Sequence, residues 1–156
     1  MTFQLPQNTV FYNLEKALKR YRKLAQDHIN LSGHDITIDQ LILLVNLAEH
    51  PDATQVNLSA YVFKDFASVA RMVDILVKKG YLKRSENQAD RRKKDLVPTA
   101  SCKKMIDELI PVVKNYRRMA LTEFTEEEIS LLSSFLQRLA TNCETHLPTA
   151  KHNQTI

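Results

Sequence analysis

For most of this chain apolar residues recur at alternating steps of three and four, the period of helices with one buried face. Phe11, Leu14, Leu18, Tyr21, Ala25 and His28 form a heptad-like stripe that predicts a helix over residues 8–31, with Gly33 just beyond it where a left-handed terminator belongs. Thr37 and Gln40 then make a capping box, in which hydroxyl and amide side chains each satisfy an orphan backbone N–H. The helix it opens, through Glu49, is apolar nearly all round, which predicts a buried, central position. His50, Pro51 and Asp52 end it. Thr54 caps a short helix over 55–62, the triplet Phe63-Lys64-Asp65 makes a turn, and a second helix follows over 66–79 with Gly80 closing it. Two short helices joined by so tight a turn form a helix–turn–helix candidate. The helical period then gives way to two β-compatible segments, 81–86 and 94–98, flanking a polar tip at 87–93, which predicts a two-stranded hairpin. Thr99 caps a long helix over 100–122 with Cys102, Ile106, Leu109, Val113, Tyr116 and Ala120 on one stripe; Pro111 inside it should remove the bond to Asp107 and bend it. A second capping box, Thr125 to Glu128, opens a last helix with Ile129, Leu132, Leu136, Leu139 and Cys143 on one face.

Composition narrows the class. The 156 residues contain 44% hydrophobic and 26% charged side chains with only two glycines, a globular and helix-favouring balance. No apolar run reaches the length of a membrane span, and the N-terminus lacks a signal-peptide pattern. Two distant cysteines, Cys102 and Cys143, indicate neither a disulfide framework nor a zinc ribbon, which points to the reducing cytoplasm. The five histidines show no ligand-like spacing, so no metal and no cofactor is expected. There is no phosphate loop, nucleophile elbow or metalloprotease helix, so the chain does not read as an enzyme. The net charge of +4 is concentrated: residues 64–94 hold ten Lys or Arg against four acids, a local +6 that leaves the remainder at −2. Such a segment is the footprint of a polyanion contact or a solvated charge run.

The placement of those charges favours the contact. On the helix 66–79, Val69, Met72, Val73 and Leu76 share one side, while Lys64, Ala67, Arg71, Asp74 and Lys78 share the other and Ser68 sits at the edge. Arg71 suits a guanine edge or a phosphate, and small residues near the helix start suit close approach to a duplex. The hairpin tip Asp90-Arg91-Arg92-Lys93-Lys94 puts four cations on a narrow ribbon, the shape that a minor groove attracts. Helix–turn–helix followed by basic hairpin is a winged helix, and double-stranded DNA is the partner it fits.

Over roughly residues 8–147 the chain resembles the MarR (multiple antibiotic resistance regulator) transcription factors. The resemblance is carried by Thr37-x-x-Gln40, the run from Ser68 through Lys79-Gly80-Tyr81-Leu82-Lys83-Arg84, the wing Asp90-Arg91-Arg92-Lys93-Lys94-Asp95-Leu96, and the Thr125-Glu-Glu-Glu start. It implies a mainly α fold: a winged helix–turn–helix (α with a two-stranded β wing) over 34–99, plus N- and C-terminal dimerisation helices, 8–32 and 100–147, in a single unit, 1–156. By resemblance the reader helix enters the major groove with Ser68 and Arg71, the wing enters the minor groove, and Asp74 pairs with Arg92 to set the wing angle. The full set of expected DNA contacts is Lys64, Ala67, Ser68, Arg71, Lys78, Arg91, Arg92, Lys93 and Lys94. The resemblance further implies a homodimeric regulator, a repressor on a pseudo-palindromic operator, released by a small aromatic or phenolic effector. Tyr12, Tyr21, Arg22, His28 and Tyr116 are the candidate effector contacts. Two positions depart from the family: Asn57 stands where an acid is usual, and the wing ends Pro98-Thr99-Ala100-Ser101-Cys102 rather than Leu-Thr-x-x-Gly. Two other readings stay open: a thiol switch at Cys102, whose pKa the helix start and Lys103 and Lys104 would lower, and a winged helix that contacts only protein.

Overall fold

A computed structural model describes residues 9–86 and 94–147. Six helices and one hairpin follow in the order α1 (Val10–Leu31), α2 (Ile38–Glu49), α3 (Gln55–Val62), α4 (Phe66–Lys78), β1 (Leu82–Glu86), β2 (Lys94–Pro98), α5 (Ala100–Ala120) and α6 (Glu126–Thr145). The chain divides into two compact units between Ala120 and Leu121.

Capping chemistry sets where the helices of the first unit begin. Thr9 accepts the Tyr12 N–H and opens α1, and Thr37 and Gln40 complete the capping box of α2. Thr54 opens α3 with a capping box whose second member is Asn57, whose side-chain oxygen accepts the Thr54 N–H at 2.9 Å. The residue that departs from the family pattern therefore does the local work of helix initiation. Gly33 and Gly80 lie at φ +82° and +76°, a region a side chain rarely adopts, and let the chain reverse after α1 and α4. α5 runs through Pro111 without ending.

The core of this unit is built on α2. Leu41, Leu43, Leu44 and Leu47 are buried there against Ala25 and Ile29 of α1, Leu58 of α3, Val69, Val73 and Leu76 of α4, and Cys102, Met105 and Leu109 of α5. Leu82 and Leu96 of the hairpin close it from the side. Gln26 of α1 fastens the start of α2: its Nε2 donates to the Ile36 carbonyl at 3.0 Å and its Oε1 accepts the Ile38 N–H at 2.9 Å. β1 and β2 pair antiparallel with Leu82 opposite Pro98 and Glu86 opposite Lys94. At the root of the hairpin the Thr99 N–H donates to the Tyr81 carbonyl at 3.0 Å, its hydroxyl donates to the Gly80 carbonyl at 2.7 Å, and its oxygen accepts the Cys102 N–H at 3.2 Å. One residue thus caps α5 and holds the end of α4.

In the second unit α6 opens on the Thr125–Glu128 capping box, and none of its described residues is buried. Backbone and side-chain bonds from Thr125 hold the Glu128 carboxyl below its ordinary value.

Candidate nucleic-acid interface and the cavity beside it

The reader helix α4 presents two distinct sides. Val69, Val73 and Leu76 are buried and Met72 is half-buried, whereas Ala67, Arg71, Asp74 and Lys78 are exposed. That is the division the periodicity predicts. Asp65 caps the helix: its carboxylate accepts the Ser68 N–H at 2.8 Å and the Ser68 hydroxyl at 2.7 Å. Those two bonds hold the Asp65 carboxyl below the ordinary carboxylate range. They also change what Ser68 can offer, because its hydroxyl proton is committed to the cap. What remains are acceptor lone pairs, suited to a base amino group and unsuited to a phosphate oxygen.

Two ion pairs orient α4. At its end Lys79 donates to the Asp35 carbonyl at 2.6 Å and meets the Asp35 carboxylate at 2.8 Å, tying the helix to the loop before α2. On the exposed side Asp74 accepts from Arg84 of β1 at 2.6 Å. This bond links the reader helix to the wing. Arg92, the partner expected for Asp74, lies outside the described residues, as do Arg91, Lys93 and the side chain of Lys94.

Lys64 is exposed, as the cations of α4 are, and its ammonium lies 3.2 Å from Asp39 of α2, which also bonds Arg22 of α1. Burial works to raise the Asp39 pKa, but bonding and charge from Arg22 and Lys64 outweigh it and leave the carboxyl below its ordinary value. A charge run in sequence placed Lys64 with the DNA contacts. The carboxylate that captures it lies 25 positions earlier, beyond the reach of any local pattern.

Arg22, Asp39 and Lys64 stand on the wall of an open cavity of about 1040 Å³ bounded by α1, α2, the turn after α3, and α5. Its apolar wall includes Leu18, Ile42, Val45, Ile106 and Val113. Of the five candidate effector contacts, Tyr21, Arg22 and Tyr116 line this cavity. Tyr21 and Tyr116 meet edge to face at 6.0 Å, and burial pushes the Tyr116 hydroxyl pKa up. Tyr12 instead borders a separate depression with Glu15 and Arg20 of α1, and His28 lies behind Tyr116 at 6.4 Å without reaching the cavity lining. The heptad stripe puts Tyr21 and His28 on one face of α1, but of that helix the cavity meets only Leu18, Tyr21 and Arg22.

Cys102 is fully buried, and burial pushes its thiol up to about 11 although Lys103 pulls the other way. This corrects the expectation that the helix start and neighbouring lysines lower it. Desolvation of the thiolate is the larger effect. Among the described residues no group of His, Cys, Asp or Glu is arranged to hold a metal ion, and no helix is long and apolar enough to cross a membrane.

An arginine-bearing helix set on a buried scaffold, preceded by a capped turn and followed by a paired hairpin, defines a winged helix–turn–helix DNA-binding regulator of transcription. Comparison with known proteins agrees with that class. Residues 36–94 match the model of the MarR family. YybA, an uncharacterized HTH-type transcriptional regulator of Bacillus subtilis, is 28% identical over 117 residues, spanning 75% of this chain and 78% of that one. The fold matches BpsR of Bordetella bronchiseptica, whose DNA binding is regulated by 6-hydroxynicotinic acid, with a TM-score of 0.81 at 19% identity over 90% of this chain and 98% of that one. It also matches a mutant MarR from E. coli complexed with operator DNA, with a TM-score of 0.77 at 20% identity over 88% of this chain and 99% of that one. Residues 36–94 thus carry a segment similar to the MarR family, and the relatives that the chain matches are HTH-type transcriptional regulators.

Proposed function

We propose that this regulator is a cytoplasmic, homodimeric repressor that binds a pseudo-palindromic operator and is released when a small aromatic or phenolic acid fills the cavity beside the reader helix. In this reading the whole chain, 1–156, acts as one unit, with 34–99 as the DNA-binding region and 8–32 and 100–147 as dimerisation helices. Ala67, Ser68, Arg71 and Lys78 face the major groove, and Arg91, Arg92, Lys93 and Lys94 reach the minor groove. Lys64 is left to the cavity. The observation that carries the reading is the exposed side of α4, where Arg71 stands clear on a helix anchored at both ends by Asp65 and Lys79. Exposed apolar residues on α1 (Phe11, Leu18) and on α6 (Leu132, Phe135, Leu136) support association of two chains. The aromatic-acid effector of BpsR, a structural neighbour, supports the class of ligand. Neither a reactive Cys102 nor a purely protein-binding wing is favoured by any side chain described.

Binding sequences selected from random DNA test it. The selected sites are expected to be near-palindromes with half-site centres about 10 bp apart. Arg71→Ala is expected to cost about 1–3 kcal/mol in DNA affinity and to relax preference at one position per half-site. A uniform loss across all sequences would reassign Arg71 to phosphate, and no selection of DNA at all would overturn the reading.

A further inference from the structure

Asp39 stands at the meeting of three elements. It is the second residue of α2, and its two oxygens take Arg22 from α1 and Lys64 from the turn between α3 and α4. It thus joins three elements at the cavity wall. Around the same cavity stand four cations, Arg22, Lys64, Lys114 and Arg117, against two carboxylates, Asp39 and Glu49. The surplus of positive charge can take a further anion, and the apolar wall can take an anion's hydrocarbon body.

The Lys64 end of this arrangement is mechanically sensitive. Phe63, immediately before it, is in the left-handed region at φ 53° and lines the cavity while 94% exposed. Asp65, immediately after it, caps the reader helix. Loss of the Lys64–Asp39 bond therefore removes a contact that holds the turn between Phe63 and Asp65. Such a turn holds its strained conformation only while neighbouring contacts over-determine it.

We infer that Asp39 is a built-in counter-anion: the carboxylate of a ligand in the cavity takes Arg22 and Lys64 from it, Asp39 turns to water, and the turn that aims the reader helix is released. This rests on the effector-release reading above and specifies how the ligand acts. Exchanging one carboxylate for another on the same two cations conserves the charge pairing, so little affinity comes from the ionic contact itself. The affinity comes from the ligand's apolar body on the cavity wall. A carboxylate carrying a large apolar ring therefore binds and displaces Asp39; acetate lacks the apolar body, and a neutral ring of the same shape binds without taking the two cations.

The probes are 2-naphthoate, its neutral isostere 2-naphthamide, and acetate, each titrated calorimetrically into the full chain without DNA. Wild type is expected to bind 2-naphthoate and 2-naphthamide but not acetate, and only 2-naphthoate is expected to weaken its binding to DNA. Asp39→Asn removes the competing anion, so it is expected to bind 2-naphthoate about five- to tenfold more tightly, at the low end of ordinary couplings between sites. Asp39→Glu, which keeps the charge, is expected to restore the wild-type affinity and shows that the fold tolerates change at this position. On DNA selected by the wild type, Asp39→Asn without ligand is expected to bind more weakly than wild type. A Lys64 that merely served as a free phosphate contact would instead bind more tightly once Asp39 was neutralised. Equal 2-naphthoate affinity in wild type and Asp39→Asn, or no binding by either, would overturn the exchange. The tighter binding without any effect of 2-naphthoate on wild-type DNA affinity would overturn the effector-release reading while the exchange stands.

Discussion

Cys102 lies in the first turn of α5, beside Lys103 and Lys104, where partial charges favour a thiolate, yet the thiol is pushed up to about 11. The side chain is completely enclosed by the core, and the loss of hydration outweighs a nearby charge that water screens. Alkylation of the folded protein at pH 7.5 is expected to modify the exposed Cys143 at least about a hundredfold faster than Cys102, since the thiolate is the reacting form. Mass spectrometry of timed samples checks this; comparable rates would return Cys102 to the sensor candidates. Single residues also mark where sequence reasoning reaches and where it stops. Thr37, Thr54 and Thr125 were legible as caps because a cap is a relation across three positions of sequence. Asp39 was not, since its partners lie 17 positions before it and 25 after, and neither periodicity nor composition records such a meeting. Ser68 was half legible: its place at the edge of α4 is as the wheel predicts, but its bond to Asp65 decides that it accepts rather than donates.

Among elements, α4 and the hairpin are joined by Asp74 and Arg84, both substantially exposed. An exposed pair adds little to stability, about 0–1 kcal/mol, so its effect belongs to orientation. Asp74→Ala and Arg84→Ala are each expected to weaken DNA binding, and the double variant is expected to be no worse than the poorer single one, because either change frees the wing from α4. Affinities at the four corners of the cycle check it. Strict additivity would mean that Arg84 and Asp74 act separately at the DNA. The hairpin itself was visible in the sequence as two β-compatible runs around a charged tip, and its strands fall within a residue of the expected limits. The cation that meets Asp74 was not visible. Resemblance named Arg92, which lies outside the described residues; among the described residues Asp74 is met by Arg84, ten residues along, where β1 passes α4.

For the whole molecule, apolar surface is the quantity that remains to be balanced. α1 buries only Ala25 and Ile29 among its 22 residues, while Phe11 and Leu18 stay exposed, and α6 buries none of its own. A chain with such helices is expected to associate, and sedimentation at micromolar concentration should give twice the 18.0 kDa of one chain. A species of the single-chain mass alone would refute the dimer. Within the first unit, Thr99 decides how motion is shared. Its three bonds bind the end of α4, the root of the wing and the head of α5 across Gly80. Described as links and joints, those parts form one link, and the joint lies at the far end of α4, at Phe63 and Lys64. Any rotation of α5 then swings α4 and the root of the hairpin together as a single arm, in one stroke rather than in sequence.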